Sequence, residues 1–239
     1  MFAVFANPAR FMALSRWLAP LLGGVAAVLI PVGLWLAFSV PDDYQQGASV
    51  RIMFIHVPAA ILAEMAYFCL AGASFFGLVF RHSLADAAAR AVAPLGAGFT
   101  ALALATGSLW GKPTWGTWWQ WDARMTSVLI LLLLYLGYMA LQAAHDDEAK
   151  ATRNSSILAM VGIVNLPIIK FSVYWWNSLH QGSSIFAKNS EGLAAVYRPA
   201  LYVMILAYLA LFGALWLVRI RAEVWRRRAG AAALAAAAG

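Results

Sequence analysis

Tryptophan and histidine carry most of the ligand-binding chemistry that this sequence offers. Five of the eleven tryptophans fall between positions 110 and 121, in a stretch that closes with Asp122-Ala123-Arg124. The stretch separates two apolar runs, and tryptophan is favoured at such boundaries because its amphipathic ring suits the headgroup region of a membrane. That general preference does not account for so dense a cluster. The pattern therefore predicts an aromatic platform for a large, flat, apolar ligand, formed by Trp110, Trp115, Trp118, Trp119 and Trp121.

The residues around these tryptophans each have two possible uses. Gly111 and Gly116 permit either a tight turn or a close approach of a ligand to the backbone. Arg124 is available for an acidic group on the ligand, but it could instead form an ion pair with Asp122. A helix over residues 115–122 would place four side chains on one face: Trp115, Trp118, Trp119 and Asp122.

The composition is that of a membrane protein. Of 239 residues, 63% are hydrophobic and 11% are charged, whereas soluble domains are about 25% charged. We predict an all-α integral membrane protein with six transmembrane helices in one bundle, residues 1–228, followed by a low-complexity alanine-rich tail, residues 229–239. The six apolar runs, each long enough to cross a bilayer, are residues 17–39, 52–79, 92–109, 125–143, 155–174 and 199–218.

Four local features depart from a plain apolar helix. Pro58 lies early in the second run, which suggests that regular helix begins near this residue. Glu64 lies deeper in the same run, where an ionisable group is costly unless it is paired or faces a cavity. Asn165-Leu166-Pro167 interrupts the fifth run. The polar stretch 175–198, which contains Gln181-Gly182-Ser183-Ser184, is too long to be a mere connector.

The distribution of Lys and Arg predicts the orientation of the bundle. Eleven basic residues flank one side of the predicted spans and five flank the other, and the excess marks the cytoplasmic side. Both termini are therefore expected in the cytoplasm. The tryptophan-rich loop between helices 3 and 4 and the stretch 175–198 are expected in the periplasm of a Gram-negative cell. The net charge of +7 is then a topology signal and does not indicate nucleic-acid binding. The five outer cations are Arg51, Lys112, Arg124, Lys188 and Arg198.

The same topology divides the four histidines into two pairs. His82 and His145 fall on the cytoplasmic side, whereas His56 and His180 fall on the outer side with the tryptophans. A single histidine at a membrane boundary is usually no more than an interfacial polar residue. Two outer histidines on separate elements could approach the tryptophan-rich loop from opposite directions. This arrangement suits an iron porphyrin, because the iron needs axial donors on both faces and neutral imidazole is the commonest protein donor.

An iron porphyrin would also use the other residues of this region. Its flat apolar ring packs well on indole, and its propionates need cations. Arg124 follows the aromatic run directly, and Arg51 is on the same predicted side. The single cysteine, Cys69, excludes a covalent Cys-x-x-Cys-His attachment, an internal disulfide and a four-cysteine iron–sulfur site. Haem would therefore be held non-covalently, as haem b.

The sequence contains no pattern typical of an enzyme. The segment from Gly107 to Lys112 is similar to a phosphate-binding loop, but its spacing is one residue short and Pro113 replaces the required Ser or Thr. No catalytic triad, zinc site or paired-carboxylate site is evident. We therefore expect no catalytic residues, and we expect any ATP hydrolysis to take place in a partner subunit.

The motifs as a whole resemble a known family. The pattern of tryptophans from Trp110, with Asp122 and Arg124, is similar to the WWD signature of the haem-handling protein family. The segments around the outer histidines, Phe54-Ile55-His56-Val57-Pro58 and Ser178-Leu179-His180-Gln181, resemble the histidine segments that flank that signature. Six spans with the signature between the third and the fourth resemble the short branch of the family, which serves cytochrome c maturation.

The resemblance implies a function and a set of partners. It implies that haem is held at the outer face of the inner membrane, with His56 and His180 as axial ligands of the iron and the tryptophan loop as platform. It implies delivery of that haem to a periplasmic haem chaperone for c-type cytochrome biogenesis. It also implies membership of an ABC-type complex with an ATPase subunit, a second membrane subunit and a small single-span subunit. Membrane lipid is the remaining partner, and no nucleic acid is implied.

Two other functions are compatible with parts of the pattern. A b-type electron-transfer cytochrome would use haem, but such proteins usually place both ligands inside spans. A transporter for a cationic or aromatic solute could use the tryptophans as a cation–π cage, but it would leave His56 and His180 without a role. Within the haem-handling function, we expect His180 to leave the iron first on transfer, because a loop ligand is easier to withdraw than one on a helix.

Overall fold

The computed structural model describes residues 7–176, 178–180 and 193–238, and these residues form seven α-helices. Short 3₁₀ turns at Ala48–Ile52 and Ala195–Tyr197 lead into the second and the last helix. Within the described residues the only β-type pairing is an isolated bridge between Asp43 and Gly47. The helices are α1 Pro8–Ser39, α2 Met53–Phe80, α3 Ser83–Trp115, α4 Ala123–Ala143, α5 Glu148–Gly162, α6 Asn165–Trp175 and α7 Arg198–Ala238.

Six helical segments are long and apolar enough to cross a membrane, and α5 and α6 together form the fifth. This confirms the predicted all-α membrane fold with six spans. The most extensive packing is between α2 and α3 and between α1 and α7. The sides of the membrane that the termini and loops face stay a prediction.

The fifth span is broken where the sequence indicated. Helix α5 ends at Gly162, and α6 begins at Asn165. The amide of Asn165 is buried and donates a hydrogen bond of 2.8 Å to the carbonyl of Ser127 in α4. Pro167 falls in the first turn of α6, where its missing N–H removes no helical hydrogen bond. A neighbouring helix thus supports the break, as the bilayer requires.

The predicted start of the second helix is wrong. Helix α2 begins at Met53 and not near Pro58, which is buried inside the helix. The 3₁₀ turn before Met53 already carries the chain into helical geometry, so the helix starts ahead of the proline. A helix over residues 115–122 is also not formed. Helix α3 ends at Trp115, because Gly116 adopts the left-handed conformation with φ 77° and its N–H bonds back to Lys112.

The tryptophan-rich loop is consequently shorter than the signature. Trp110 and Trp115 belong to the last turns of α3, and the non-helical connection spans residues 116–122. Helix α4 restarts at Ala123 because the carboxylate of Asp122 caps its first turn, accepting from the N–H of Met125 at 2.8 Å. The four side chains that a helix over residues 115–122 would have placed on one face are therefore divided between a helix end and a loop.

Most of the polar stretch 175–198 lies outside the described residues, including Gln181-Gly182-Ser183-Ser184 and Lys188. The alanine-rich segment that follows residue 228 continues helix α7 as far as Ala238. At 41 residues, α7 is about 60 Å long, about twice the thickness of the hydrocarbon core of a bilayer. Its C-terminal part therefore extends beyond the membrane.

A cluster of buried tyrosines joins the central helices. Tyr67 of α2 and Tyr135 of α4 are fully buried, with ring centroids 5.1 Å apart in an edge-to-face arrangement. The hydroxyl of Tyr135 donates to the carbonyl of Ala63 at 2.8 Å. Gly96 of α3 faces the ring of Tyr135 so closely that a Cβ atom at this position would overlap it. The packing of α3 on α4 therefore depends on the absence of a side chain at Gly96.

We expect Gly96→Ala to lower the free energy of unfolding by about 1–3 kcal/mol, because the added methyl group would push Tyr135 out of its place. Gly98→Ala is the matched control, since a Cβ atom at Gly98 would meet no atom within 4 Å. The control should be neutral or stabilising by up to about 1 kcal/mol, from the higher helix propensity of alanine. Reversible unfolding in mixed micelles measures both. Equal stability of the two variants would contradict this account of α3–α4 packing.

Candidate functional site

The two outer histidines lie at the same end of the bundle, which we call the signature end. It is the end where α1, α3 and α6 finish and where α2, α4 and α7 begin. His56 is in the first turns of α2, and His180 is in the short described segment 178–180 that follows α6. The two side chains are close enough to interact electrostatically with each other. Both imidazoles also contact a tryptophan in the last turns of α3, so the two histidines lie beside the same helix end.

His56 is held by the neighbouring helix α3. Its Nδ1 atom lies 3.0 Å from the carbonyl of Ala103 and 3.1 Å from the hydroxyl of Thr106. Because a carbonyl oxygen only accepts hydrogen bonds, the proton is assigned to Nδ1, and the lone pair of the neutral ring is then on Nε2. Gly107 leaves room for the ring, since a Cβ atom there would be 3.0 Å from the His56 Cε1 atom. The indole of Trp110 packs edge-on at 5.7 Å.

His180 is held by a carboxylate. Its Nδ1 atom lies 2.7 Å from Oδ2 of Asp122, and the same oxygen accepts from the hydroxyl of Ser178 at 2.6 Å. The indole of Trp115 packs edge-on against the imidazole, with ring centroids 4.8 Å apart. Asp122 is 8% exposed. Since the carboxylate accepts the Nδ1 proton, the ring is oriented with its Nε2 lone pair away from Asp122.

The pKa values of Asp122 and His180 describe a neutral imidazole beside a charged carboxylate. Burial lowers the pKa of His180; the hydrogen bond to Asp122 opposes this only in part, and the nearby charge of Arg124 adds to it. Burial acts to raise the pKa of Asp122, but the hydrogen bonds from Ser178, from the N–H of Met125 and from His180 outweigh it, so this pKa is lowered. With Asp122 holding the Nδ1 proton, the neutral imidazole of His180 can offer the lone pair of its Nε2 atom to a metal ion.

The five tryptophans fall into two groups by their contacts. Trp110 and Trp115 contact the two histidines from the end of α3. Trp119 and Trp121 pack on each other in the loop, with centroids 5.3 Å apart, and Trp121 is 74% exposed. Trp118 is also exposed, and the Nζ atom of Lys112 lies 5.9 Å from its ring centroid. The aromatic signature thus divides into an inner pair at the histidines and an outer group in the loop.

The cations expected to bind an acidic group have contacts within the protein. Arg51 forms an ion pair of 2.8 Å with Asp42 and donates to the carbonyl of Val40 at 3.1 Å. Arg124 is half-buried and interacts electrostatically with Asp122, with His56 and with Glu64. The sequence left open whether Asp122 pairs with Arg124. In the structure, the hydrogen bonds that Asp122 accepts come from His180, Ser178 and the N–H of Met125.

Glu64 and Lys170 extend this charged region into the bundle. Glu64 is half-buried in α2, and both Arg124 and Lys170 are within electrostatic range of it. A groove of about 530 Å³ opens beside the site between α4 and α6, and Asp122, Trp121 and Asn165 are among its lining residues.

Several residues of the site were not found by sequence reasoning. Ala103 and Thr106 hold His56, Ser178 shares the carboxylate of Asp122, and Gln46 accepts from the indole N–H of Trp110 at 2.7 Å. The carbonyl of Ala103 has no sequence signal, since any residue can provide it. Asp122 was among the predicted site residues, and its capping role also had a sequence signal, because an Asp directly before an apolar helix is a typical N-cap.

The fold and the site define a six-span helical membrane protein with two imidazoles, each oriented through Nδ1, beside a tryptophan-rich helix end. Comparison with known proteins specifies the family. The Heme exporter protein C family profile matches residues 1–235. The chain therefore belongs to the Heme exporter protein C family.

Curated relatives with that name match over most of their length. Heme exporter protein C of Bradyrhizobium diazoefficiens is 52% identical over 223 residues, which are 93% of this chain and 85% of the relative. That of Escherichia coli strain K12 is 47% identical over 217 residues, 90% of this chain and 87% of the relative. That of Paracoccus denitrificans is 44% identical over 228 residues, 95% of both chains.

The lowered pKa of His180 predicts that the ligand-free protein loses stability in mild acid. The unfolded chain takes up a proton near the ordinary value of 6.5, before the folded protein does, so the free energy of unfolding falls as the pH drops below that value. His180→Gln should reduce this loss between about pH 7 and about pH 5. Unfolding at a series of pH values measures it, and an unchanged pH dependence in the variant would contradict the assignment of a neutral His180.

Proposed function

We propose that this protein binds haem b non-covalently at the signature end, with His56 and His180 as axial ligands, and passes it on for the biogenesis of c-type cytochromes. The observation that carries the proposal is the matched orientation of two histidines from separate elements. Each has its Nδ1 hydrogen bonded to a fixed acceptor. In the part of the chain that the structure describes, no hydrogen bond engages either Nε2 atom.

The donor set fits a haem iron. Histidines that ligate a metal almost always donate the other ring N–H to a carboxylate or a backbone carbonyl, and here Asp122 and Ala103 are those two acceptors. Trp110 and Trp115 would pack near the porphyrin, and the outer tryptophans would extend the apolar surface. Arg124 would pair with one propionate, and Arg51 would pair with the other by exchanging its ion pair with Asp42.

The family name supports export of haem as the purpose of this binding. Bis-histidine ligation closes both axial positions of the iron, which suits a carrier better than an oxygen-activating enzyme. The bound haem is accordingly cargo, and no residue of this chain acts as a catalyst on it. From the resemblance of the sequence, we propose that the acceptor is a periplasmic haem chaperone. The proposed complex contains an ABC ATPase subunit, a second membrane subunit and a small single-span subunit in the inner membrane.

A b-type electron-transfer cytochrome is the second candidate function, and it is less well supported. His180 follows the end of α6 and is not inside a span. A permanent redox centre usually has both ligands fixed on helices, whereas a carrier must release its haem. The position of His180 therefore favours a protein that passes on its haem over one that keeps haem as a permanent redox centre.

Absorption spectra of the purified protein test the binding proposal. We expect sharp α and β bands in the reduced wild type, and loss or displacement of these bands in His56→Ala and in His180→Ala, because each removes one axial ligand. His145→Ala is the control, since His145 bonds to Leu141 and Asn154 away from the site. If the purified wild type did not bind haem even when haem was added, the proposal would be refuted and a solute transporter would be favoured.

The order of ligand release is a separate prediction. His56 is fixed on α2 by α3, whereas His180 lies beyond the end of α6, so we expect His180 to leave the iron first. Stopped-flow spectra during transfer of haem to excess apomyoglobin should contain an intermediate that matches the spectrum of His180→Ala. An intermediate that matches His56→Ala would reverse the order.

A further inference from the structure

We infer that a basic pocket at the end of the bundle opposite to the signature end binds the phosphate group of an anionic phospholipid. The pocket has a volume of about 300 Å³ and lies between α3 and α7. Its lining residues are Arg90, Ala91, Arg219, Ala222, Glu223 and Arg226. It is remote from both histidines of the proposed haem site, so it stands independently of the proposed function.

An ion-pair network forms one wall of the pocket. The carboxylate of Glu223 lies 2.7 Å from Arg226, 2.9 Å from Arg227 and 3.9 Å from Arg90. Glu148, at the start of α5, adds contacts of 3.0, 3.4 and 3.5 Å to the same three arginines. The network fixes the guanidinium groups in place across α3, α5 and α7, so the arginines are positioned before any ligand arrives.

Positive charge remains after these pairs are formed. Arg219 also lines the pocket, and within the described residues its side chain donates only to the carbonyl of Ala91, from Nε at 3.0 Å. The Nε atom of Arg90 is buried and has no hydrogen-bond partner there. Asp86 is within electrostatic range of Arg90 and Arg227 and offsets part of the charge. The pocket and the network beside it then hold one more positive than negative charge, which favours an anion with one negative charge. The charged groups counted are Arg90, Arg219, Arg226 and Arg227 against Asp86, Glu148 and Glu223.

The depth of the pocket favours a lipid as the source of that anion. Arg219 directly follows the apolar run 199–218, and Arg90 shortly precedes the apolar run 92–109. Both arginines therefore lie where an apolar helix leaves the hydrocarbon core, at the level of the headgroups. Basic pockets between transmembrane helices at this level bind anionic headgroups, and guanidinium groups bind phosphate through paired hydrogen bonds.

Two substitutions of Ala222 test the pocket with a matched control. Ala222 is exposed on α7 and forms part of the lining, so a longer side chain does not disturb the core. Ala222→Glu adds a negative charge to the pocket, whereas Ala222→Gln adds a side chain of the same size without charge. Phosphatidylglycerol should raise the Tm of the wild type and of Ala222→Gln. We expect its affinity for Ala222→Glu to be about ten-fold weaker, since a contact to a charged group is lost or opposed.

Two further ligands test whether the anion must be part of a lipid and whether the headgroup must be charged. Phosphatidylcholine should give little shift, because its headgroup has no net charge, and inorganic phosphate at the same concentration should give none. An equal shift with inorganic phosphate would overturn the lipid and indicate a soluble phosphate compound. An equal response of the Glu and Gln variants to phosphatidylglycerol, or an equal shift with phosphatidylcholine, would overturn the anion site. Arg228→Gln, a charge removed outside the pocket on the same helix, should respond as the wild type does.

Discussion

The hydrogen bond between Asp122 and His180 is the contact on which the arrangement of the site depends. The carboxylate of Asp122 accepts from the first turn of α4 through Met125, from Ser178 and from His180, at 2.8, 2.6 and 2.7 Å. Three donors on two separate parts of the chain therefore converge on one buried side chain. The place where α4 begins determines where His180 can lie. A charged acceptor is also what keeps the Nδ1 proton of a buried, neutral imidazole in place, so that Nε2 stays available.

The two histidines are positioned by different means, and the difference suits a carrier. His56 donates to a backbone carbonyl of α3, which cannot move without the helix. His180 donates to a side chain and lies beyond the end of α6, so its displacement costs only local contacts. A stronger acceptor makes an imidazole a better donor to iron. In the proposed function, Asp122 would compensate for the weaker anchorage of His180 when haem binds, and the position of His180 beyond α6 would permit its release.

The fold was largely predictable from the sequence, whereas the internal contacts of the site were not. Apolar runs and the interrupted fifth span specified the six crossings, because length and hydropathy decide what crosses a bilayer. The histidines and tryptophans that the sequence singled out lie together at one end of the bundle, and their role as a ligand site stays a prediction. A helix over residues 115–122, which would have placed three tryptophans on one face, does not form because Gly116 ends α3 and Asp122 caps the start of α4. The carbonyl of Ala103 that orients His56 could not be predicted, since backbone acceptors have no sequence identity.

Both ends of the bundle use charged groups to hold side chains in place, and at the signature end two imidazoles lie beside the indoles of Trp110 and Trp115. The central claim is that these two imidazoles bind one iron from opposite faces. Low-temperature electron paramagnetic resonance of the ferric, haem-loaded protein tests it most directly, because the spin state and the g values report the axial ligands. The account predicts a low-spin, bis-imidazole signal in the wild type that is lost in His56→Ala and in His180→Ala. A high-spin signal in the wild type, or a low-spin signal that survives in either variant, would contradict it.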